Sequence, residues 1–250
     1  MSILKNILGR IFAVWGLIIF VITMLPVFFT MWIIGNMQEP HRTVTFRLLC
    51  KRWMQVFFFF TGCRLKVTGA EHFAPGENYI VICNHNSFFD VPVTTPFIPG
   101  PPNKTIAKVE IAKTPLFGLI YKRGSVLIDR KSVKSKRDSF NKMREVLQLG
   151  MQMCIYPEGT RNRSAEPVKE FQDGAFRLAI DTKKSIMPGV IFNTRKVLPP
   201  DKTFFFWPSR IEMHFLAPRK ITPEDDYKML KQEMFDKMYA YYAAHEKSLR

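Results

Sequence analysis

An uncharged apolar segment near the N-terminus constrains this chain more than any other feature. From Ile11 to Gly35 the sequence runs for 25 residues without a charged side chain. As a helix this segment would measure about 37 Å, which is enough to cross or enter a bilayer. A cleaved signal peptide would have an apolar region of about 7–15 residues and a small-residue cleavage site, and the segment has neither. A buried core helix, apolar on every face, would need a larger protein around it.

The surroundings of this segment bear on how it meets a membrane. Pro26 stands inside it and is expected to kink it or to split it into two shorter helices. Basic residues flank both ends, so they indicate no orientation and favour a re-entrant or interfacial anchor. The next segment, 43–62, interleaves basic with aromatic residues, which is typical of an amphipathic helix in a headgroup interface or of a helix that caps the core. Residues 1–61 are therefore predicted to form a membrane anchor and an amphipathic helix.

The excess of basic residues indicates an anionic partner. The chain has 37 lysines and arginines against 21 acidic residues, a net charge of +16. Such an excess fits nucleic acid, an anionic membrane surface or a phosphorylated small molecule. A hydrophobic content of 47% and an aromatic content of 14% exclude a disordered chain. The length of 250 residues suits one sizeable domain with an appendage.

The cysteines indicate neither a zinc site nor a disulfide framework. Cys50, Cys63, Cys83 and Cys154 are far apart and form no C-x-x-C pair. Cys83 and Cys154 lie inside apolar stretches, where buried, reduced thiols are expected.

After Gly62 the pattern changes to short apolar stretches that alternate with helical periodicity. This predicts a single layered α/β domain, residues 62–221, with a mostly parallel or mixed sheet flanked by helices. Thr222-Pro223 resembles a helix start and predicts a C-terminal packing helix over 222–250. The predicted strands are 65–69, 79–83, 105–108, 125–129, 153–156 and 186–192, and the predicted internal helices are 135–149 and 171–181.

The first chemical motif, NHNSFFD, follows the strand at 79–83. It places His85 and Asp90 five residues apart, just past the carboxyl end of a strand, where α/β sheets bind their ligands. A turn into a helix would bring the carboxylate onto the imidazole, and the imidazole would then accept a proton from an alcohol. The alternative at this spacing is a histidine that caps a helix beside a solvated Asp90.

The second motif, YPEGTR, follows the strand at 153–156. Gly159 lets a ligand approach the backbone closely, and Arg161 suits a bidentate grip on phosphate. Glu158 either pairs with an arginine or orients a substrate hydroxyl, and a solvated surface loop is the alternative for the whole motif. Residues 103–163 hold 14 lysines and arginines and 5 acidic residues, a local excess of +9.

In this order and spacing, the blocks NHNSFFD, RGSVLIDR, YPEGTR and IMPGVIF resemble the four motifs of the glycerolipid acyltransferases. They are most similar to those of the bacterial 1-acylglycerol-3-phosphate (lysophosphatidic acid) acyltransferases. The resemblance covers about Gly69 to Ala217. It implies that His85 is the general base and that Asp90 orients it, in the HX4D motif. It also implies that Ser87 is not a nucleophile.

The resemblance further implies an acceptor site, in which Arg161 and either Arg130 or Lys108 hold a phosphate. Pro188 would lie near the acyl or thioester site, whereas Gly189 and Tyr156 depart from the residues common in the family. The residues that the resemblance assigns to substrate binding are Glu158, Gly159, Thr160, Arg161, Lys108 and Arg130.

The implied activity belongs to phospholipid biosynthesis and gives phosphatidic acid. An acyl-CoA or acyl carrier protein thioester would be the co-substrate, and because a thioester is already activated we expect no bound metal or cofactor. The expected partners are lysophosphatidic acid, the acyl thioester and an anionic membrane surface, with acyl carrier protein as a further candidate. The expected location is the inner membrane, with the catalytic domain on its cytoplasmic face.

Three alternatives stay open. The acceptor could instead be glycerol-3-phosphate, another lysophospholipid or a non-phosphorylated lysolipid. A non-catalytic membrane scaffold of the same fold is disfavoured by the presence of His85, Asp90 and Glu158. Nucleic acid is not expected as a partner, because no nucleic-acid module is recognisable and the apolar anchor would have no purpose.

Overall fold

The uncharged segment folds into one continuous helix, α1 (Ile3–Ile33), in a computed structural model that describes residues 3–164 and 166–246. The outermost residues of the predicted segments 1–61 and 222–250 lie outside the described residues. Pro26 stands inside α1, so the segment is not split into two helices. Among the described residues, Ile3–Asn36 is the one stretch of helix long and apolar enough to cross a membrane, judged by length and composition.

Helix α1 buries one face and exposes the others. Its buried face carries small residues, Gly9, Ala13 and Gly16, which allow close approach to the domain. Only 22% of its most apolar window is buried, so α1 is not a core helix. Its exposed apolar side chains are Ile3, Leu4, Ile7, Ile11, Val14, Trp15, Leu17, Ile18, Val21, Ile22, Leu25, Phe29, Trp32 and Ile33.

Helix α2 (His41–Thr61) follows and ends at Gly62, whose φ of 73° suits glycine after a helix. It packs on α1 and on the domain, with Phe46, Trp53 and Phe57 buried. Helix α2 therefore caps the core, as one of the two sequence interpretations predicts, and it also exposes apolar side chains such as Phe59. Its place in a headgroup interface remains a prediction.

Glu39, between α1 and α2, ties the two N-terminal helices to the sheet. Its carboxylate accepts a hydrogen bond from Lys104 Nζ at 2.7 Å and others from Arg42 and Thr43. Burial alone would raise the pKa of Glu39, but these donors outweigh it and lower the pKa to about 2.

A seven-stranded mixed sheet forms the centre of the domain, with the strand order β1-β7-β6-β2-β5-β3-β4. Every neighbouring pair is parallel except β6 and β7. The predicted fold class and all six predicted strands are confirmed. The strands are β1 (Arg64–Thr68), β2 (Ile80–Cys83), β3 (Asn103–Lys108), β4 (Ser125–Ile128), β5 (Gln152–Ile155), β6 (Ile186–Phe192) and β7 (Arg210–Phe215).

The sequence analysis missed β7. Its sequence, RIEMHF, carries Glu212 and His214 at alternate positions, which is the pattern of a strand with a polar face. Both side chains are nevertheless buried and bonded to each other at 3.0 Å. Because the polar partners satisfy one another, a strand that looks half-exposed lies inside the sheet.

Helices cover both faces of the sheet. Helices α1 and α2 cover one face, and α5, α6 and α8 cover the other. The remaining helices are α3 (Asp90–Thr94), α4 (Phe117–Gly124), α5 (Val133–Gln148), α6 (Gly174–Thr182), α7 (Thr194–Val197) and α8 (Tyr227–Glu246).

The predicted start of the C-terminal helix at Thr222-Pro223 is wrong. Helix α8 begins at Tyr227, after Asp226, whose carboxylate accepts hydrogen bonds from the backbone N–H groups of Lys228 and Met229. Asp226 therefore caps the N-terminus of α8, and the residues before Asp226 are not part of the helix. Asp225 is instead bonded to Arg219.

Candidate active site

The loop after β2 brings His85 and Asp90 into contact. His85 Nδ1 lies 2.8 Å from Asp90 Oδ2. Asp90 opens the short helix α3 and is fully buried, whereas the His85 side chain keeps 17% of its surface exposed. The turn therefore swings the carboxylate onto the imidazole, as the spacing argument predicts. The catalytic roles of the two residues remain predictions.

Backbone donors fix the Asp90 carboxylate. The N–H groups of Asn86 and Ser87 donate to Asp90 Oδ2 at 2.6 and 2.7 Å. Together with His85 Nδ1, these groups place three hydrogen-bond partners on one oxygen, which holds the carboxylate in its orientation towards His85. The Ser87 hydroxyl donates to the Leu198 carbonyl at 2.7 Å, so it is already engaged, which is consistent with the expectation that Ser87 is not a nucleophile.

Tyr156, at the end of β5, packs its ring against the imidazole. The ring centroids of Tyr156 and His85 lie 4.5 Å apart, with the planes 32° apart. The Tyr156 hydroxyl is bonded to the Thr94 hydroxyl, which fixes the ring. The sequence analysis did not list Tyr156 among the site residues. Its only signal was its position next to Pro157 and Glu158 in the second motif.

Glu158 joins the two motif loops. One carboxylate oxygen accepts the backbone N–H of His85 at 2.7 Å, and the other accepts the N–H of Lys169 at 3.2 Å. The side chain is 2% exposed. Burial raises the pKa of Glu158 to about 8, with a further contribution from the Asp90 charge, against the lowering effect of those two backbone donors. Glu158 thus pairs with backbone rather than with an arginine side chain, contrary to one of the two sequence interpretations.

Gly159 and Arg130 meet in the second motif. Gly159 has a φ of 71°, where glycine is favoured, and its carbonyl accepts a hydrogen bond from the Arg130 guanidinium. Burial lowers the pKa of Arg130. The structure therefore brings Arg130 onto the YPEGTR loop.

Of the other predicted binding residues, Arg161 is half-buried and Thr160 and Lys108 are exposed. The Arg161 guanidinium carbon lies 3.3 Å from the centre of the Phe88 ring, in the first motif. The Thr160 hydroxyl lies 3.4 Å from Lys169 Nζ. Lys108, at the end of β3, is exposed and makes no hydrogen bond or ion pair to the site within residues 3–164 and 166–246. The binding roles of these residues remain predictions.

Arg195, in α7, holds the loop that follows YPEGTR. It donates to the carbonyls of Asn162 and Ser164 at 2.7 and 2.8 Å. Asn162 also donates its backbone N–H to the His85 carbonyl at 2.6 Å. The sequence analysis missed Arg195, because the contact joins segments more than 30 residues apart and Arg195 lies outside every motif.

Comparisons with known proteins place this site in a family. A family model described as "Acyltransferase" matches residues 64–192, which include both motif loops and the strand β6.

The chain belongs to the acyltransferase family.

Individual relatives of this acyltransferase carry related names. The chain is 31% identical over 172 residues to "1-acyl-sn-glycerol-3-phosphate acyltransferase alpha" of Mus musculus, covering 66% of this chain and 59% of that protein. It is 26% identical over 148 residues to the Borreliella burgdorferi "1-acyl-sn-glycerol-3-phosphate acyltransferase", covering 59% of this chain and 58% of that protein. The Helicobacter pylori protein of the same name is 28% identical, with coverages of 78% and 80%. The match thus spans under two thirds of the first two relatives.

A solved structure supports the fold. The crystal structure of the 1-acyl-sn-glycerophosphate (LPA) acyltransferase PlsC from Thermotoga maritima superposes with a TM-score of 0.81. It covers 97% of this chain and 98% of that chain, at 19% sequence identity.

An apolar cavity of about 620 Å³ opens beside the loop of this acyltransferase that carries His85 and Asp90. Its wall includes Phe88 and Phe89, which lie between His85 and Asp90, and side chains of α1, α2 and α4. The volume and apolar wall suit a lipid-sized ligand. Among the described residues, no group of three or more His, Cys, Asp and Glu side chains forms a metal site.

The fourth motif lies on β6, an inner strand that pairs with β2 and β7. Pro188 pairs with Ile82 of β2 in the sheet register. At Gly189 a Cβ atom would lie 3.0 Å from Cys83 Sγ and 3.1 Å from the Phe215 ring. The space that an aliphatic side chain would need is thus already filled, which accounts for glycine at this position.

Proposed function

We propose that the chain transfers an acyl group from an acyl thioester to the free sn-2 hydroxyl of 1-acylglycerol-3-phosphate, giving phosphatidic acid. The thioester would be acyl-CoA or acyl-acyl carrier protein. The observation that carries this proposal is the hydrogen-bonded His85–Asp90 pair beside a basic motif loop and an apolar cavity. The names of the family relatives supply the acceptor class.

The first step uses the tautomer that Asp90 favours. An Asp90 carboxylate that accepts from His85 Nδ1 keeps the proton on that nitrogen, so Nε2 is left as the acceptor. When the sn-2 oxygen of the acceptor attacks the thioester carbonyl, His85 Nε2 takes the hydroxyl proton. Asp90 stabilises the imidazolium that forms. General base catalysis of this kind contributes about 10²- to 10⁴-fold.

The second step expels the thiol. The tetrahedral intermediate collapses, the carbon–sulfur bond breaks, and the imidazolium returns its proton to the departing thiolate. The acyl group passes directly from sulfur to oxygen, without a covalent acyl-enzyme. The engaged Ser87 hydroxyl supports this route, because it donates to Leu198 rather than facing a base.

Basic groups of the second motif would hold the acceptor's phosphate. The Arg161 guanidinium makes no hydrogen bond or ion pair within the described chain, so its donors are available to an anion. Arg130 lies on the carbonyl of Gly159, next to Thr160 in the same loop. Lys108 would contribute by its charge at longer range. These groups lie at or just after the carboxyl ends of β3, β4 and β5. His85 follows the carboxyl end of β2, at the same edge of the sheet.

The cavity would take the apolar part of a substrate. An acyl chain of a thioester or of the acceptor matches its almost wholly apolar wall, which spans α1, α2 and α4. Each of the three molecules has an apolar part: lysophosphatidic acid and phosphatidic acid are amphiphilic lipids, and the thioester carries an acyl chain. An enzyme that opens its apolar site next to an exposed apolar helix can receive them from the bilayer.

We also propose that α1 and α2 anchor the domain on the cytoplasmic face of the inner membrane. The support is the exposed apolar surface of α1 together with the net charge of +16, which would favour anionic headgroups by about 1 kcal/mol per residue near the surface. The anchor would lie in the interface, with the catalytic domain outside the bilayer.

A panel assay tests the proposal. The purified full chain in detergent is incubated with one of two donors, acyl-CoA or acyl-acyl carrier protein. Each donor is combined with one of three acceptors: lysophosphatidic acid, glycerol-3-phosphate or a non-phosphorylated lysolipid. The products are identified by mass spectrometry. We expect phosphatidic acid to dominate. Faster acylation of another acceptor would move the activity within the family, and no product from any pair would favour the non-catalytic scaffold.

A further inference from the structure

Phe88 stands at the junction of the two motif loops. It belongs to the first motif, between His85 and Asp90, yet its side chain is 62% exposed. The Arg161 guanidinium of the second motif lies over its ring at 3.3 Å from the centroid. The same ring forms part of the apolar cavity wall. One aromatic side chain thus touches the basic motif and the apolar pocket.

Among residues 3–164 and 166–246, the Phe88 ring is the one contact described for the Arg161 guanidinium. In the part of the chain that the structure describes, its guanidinium donates no hydrogen bond to a carboxylate or a carbonyl oxygen. Burial lowers the pKa of Arg161, and the neighbouring positive charge of Arg163 lowers it further. A guanidinium in this position would move freely without the ring beneath it. Cation–π contacts of this kind contribute attraction at short range and prefer arginine lying flat on the ring.

We propose that Phe88 is a positioning residue that sets the plane of the Arg161 guanidinium for the phosphate of the acceptor. A guanidinium stacked on a ring keeps its N–H donors at its edges, where a phosphate can accept two of them at once. This inference rests on the proposed phosphate role of Arg161.

The placement of Phe88 links the grip on phosphate to the reacting hydroxyl. Phe88 is three residues from His85 and two from Asp90, in a loop fixed by the N–H donors to Asp90. Because the ring is held by that loop, the guanidinium keeps a constant distance from the base. The acceptor's phosphate and its sn-2 hydroxyl stand on adjacent carbons of one glycerol unit, which limits their separation, so this arrangement brings the hydroxyl towards His85.

Two substitutions of Phe88 separate its aromatic face from its bulk. Phe88→Leu keeps an apolar side chain in the cavity wall but removes the ring, and Phe88→Tyr keeps the ring. We expect Phe88→Leu to raise the KM for lysophosphatidic acid about 3- to 10-fold, with the KM for the acyl thioester unchanged. Phe88→Tyr should retain the wild-type KM. Since Phe88 is mostly exposed, both variants should keep the wild-type unfolding temperature.

A double substitution tests whether Phe88 acts through Arg161. In an Arg161→Ala background, Phe88→Leu should raise the acceptor KM no further. Additive effects would overturn the inference, as would an equal rise in the thioester KM or a wild-type KM for Phe88→Leu while Arg161→Ala raises it. If Arg161→Ala itself leaves the acceptor KM unchanged, the phosphate role fails first, and the inference falls with it.

Discussion

Glu158 is the residue on which the two motif loops depend. Its two oxygens accept backbone N–H groups from opposite sides, at His85 and at Lys169. It is buried, and a buried carboxylate with only two backbone donors is costly to ionise. Burial accordingly raises its pKa from 4.5 to about 8. At neutral pH the protonated form is favoured in the folded protein.

The raised pKa of Glu158 predicts a pH dependence of stability. Between about pH 4.5 and pH 8 the folded state holds a proton on Glu158 that the unfolded state has lost. The protonated Glu158 therefore stabilises the fold fully below pH 4.5, and this contribution declines as the pH rises through the window. The glutamine side chain of Glu158→Gln does not titrate in this range. We expect the unfolding free energy of wild type, relative to Glu158→Gln, to fall by about 1.4 kcal/mol per pH unit across the window.

Chemical unfolding of both proteins in one detergent, at pH 5 and pH 8.5, measures this difference. Comparing the two proteins at each pH cancels the titration of all other groups. A difference that stays constant with pH would show that Glu158 is ionised throughout.

At the residue scale, the sequence predicts which residues belong to the candidate site better than it predicts which of them are in contact. The spacing of His85 and Asp90 correctly predicts their hydrogen bond, because both belong to one short loop. The bond from His85 N–H to Glu158 spans 73 residues and depends on how β2 and β5 pair. The ring of Tyr156 against His85 depends on the same pairing. Such contacts follow from the sheet order, which local patterns do not specify.

At the element scale, α7 acts as a clamp on the second motif loop. It is four residues long and follows β6 directly. Arg195 in α7 bridges two carbonyls of the loop, and the adjacent Leu198 carbonyl accepts the Ser87 hydroxyl of the first motif loop. One short segment therefore holds both loops in register.

Removing the Arg195 clamp should loosen the acceptor site. Arg195→Ala leaves the carbonyls of Asn162 and Ser164 without these donors, at about 1 kcal/mol for each hydrogen bond. We expect the KM for lysophosphatidic acid to rise about fivefold or more, with a smaller change in the thioester KM. Steady-state kinetics with each substrate varied in turn measure the two constants.

Arg144→Ala is the matched control for the Arg195 variant. Arg144 also bridges two elements, because it binds the Asp181 side chain of α6 from α5, but its own side chain is 40% exposed. It should leave both Michaelis constants unchanged. Equal effects of the two substitutions would mean that Arg195 has no special relation to the acceptor site.

The elements themselves are largely readable from the sequence. The six strands that the sequence predicts from short apolar stretches are all present, and three of them, β2, β5 and β6, are buried along their whole length. The missed strand β7 carries Glu212 and His214, whose burial depends on their mutual bond. The start of α8 was placed too early, because the cap-like Thr222-Pro223 competes with Asp226, and only Asp226 has its carboxylate on the first free N–H groups.

At the scale of the whole molecule, the packing of α1 against the rest of the domain shapes the apolar cavity. The loop after α7 carries Phe205 and Phe206, which pack against Gly9 and Gly16 of α1. The Phe206 N–H also donates to the Gly9 carbonyl at 3.0 Å. Both rings belong to the cavity wall, so the position of α1 shapes the cavity.

Alanine should destabilise the protein at Gly9 of α1 but not at Gly16. A Cβ at Gly9 would lie 2.0 Å from the Phe205 ring, so Gly9→Ala must displace that ring, at a cost of about 1–3 kcal/mol. A Cβ at Gly16 would lie 3.7 Å from the Phe206 ring, an ordinary contact. Gly16→Ala should be neutral or stabilising by up to about 1 kcal/mol. Thermal unfolding of both variants in the same detergent compares them, and equal shifts would contradict this packing.

The distribution of charge and apolar surface also becomes clear only at this scale. The net charge of +16 predicts an anionic partner without identifying it. In the proposed function, the exposed apolar face of α1 would contact a bilayer, and Arg161 would contact the acceptor's phosphate. A single sequence pattern could not assign these cations, because their neighbours come from distant segments.

The most direct test of the account is acyl transfer by His85→Ala. The variant and the wild type, purified in the same detergent, are given a labelled acyl thioester and lysophosphatidic acid, and phosphatidic acid is quantified over time. The account predicts a rate at least about 10²-fold below wild type, with the unfolding temperature preserved. Near-normal turnover by His85→Ala would contradict the general-base mechanism.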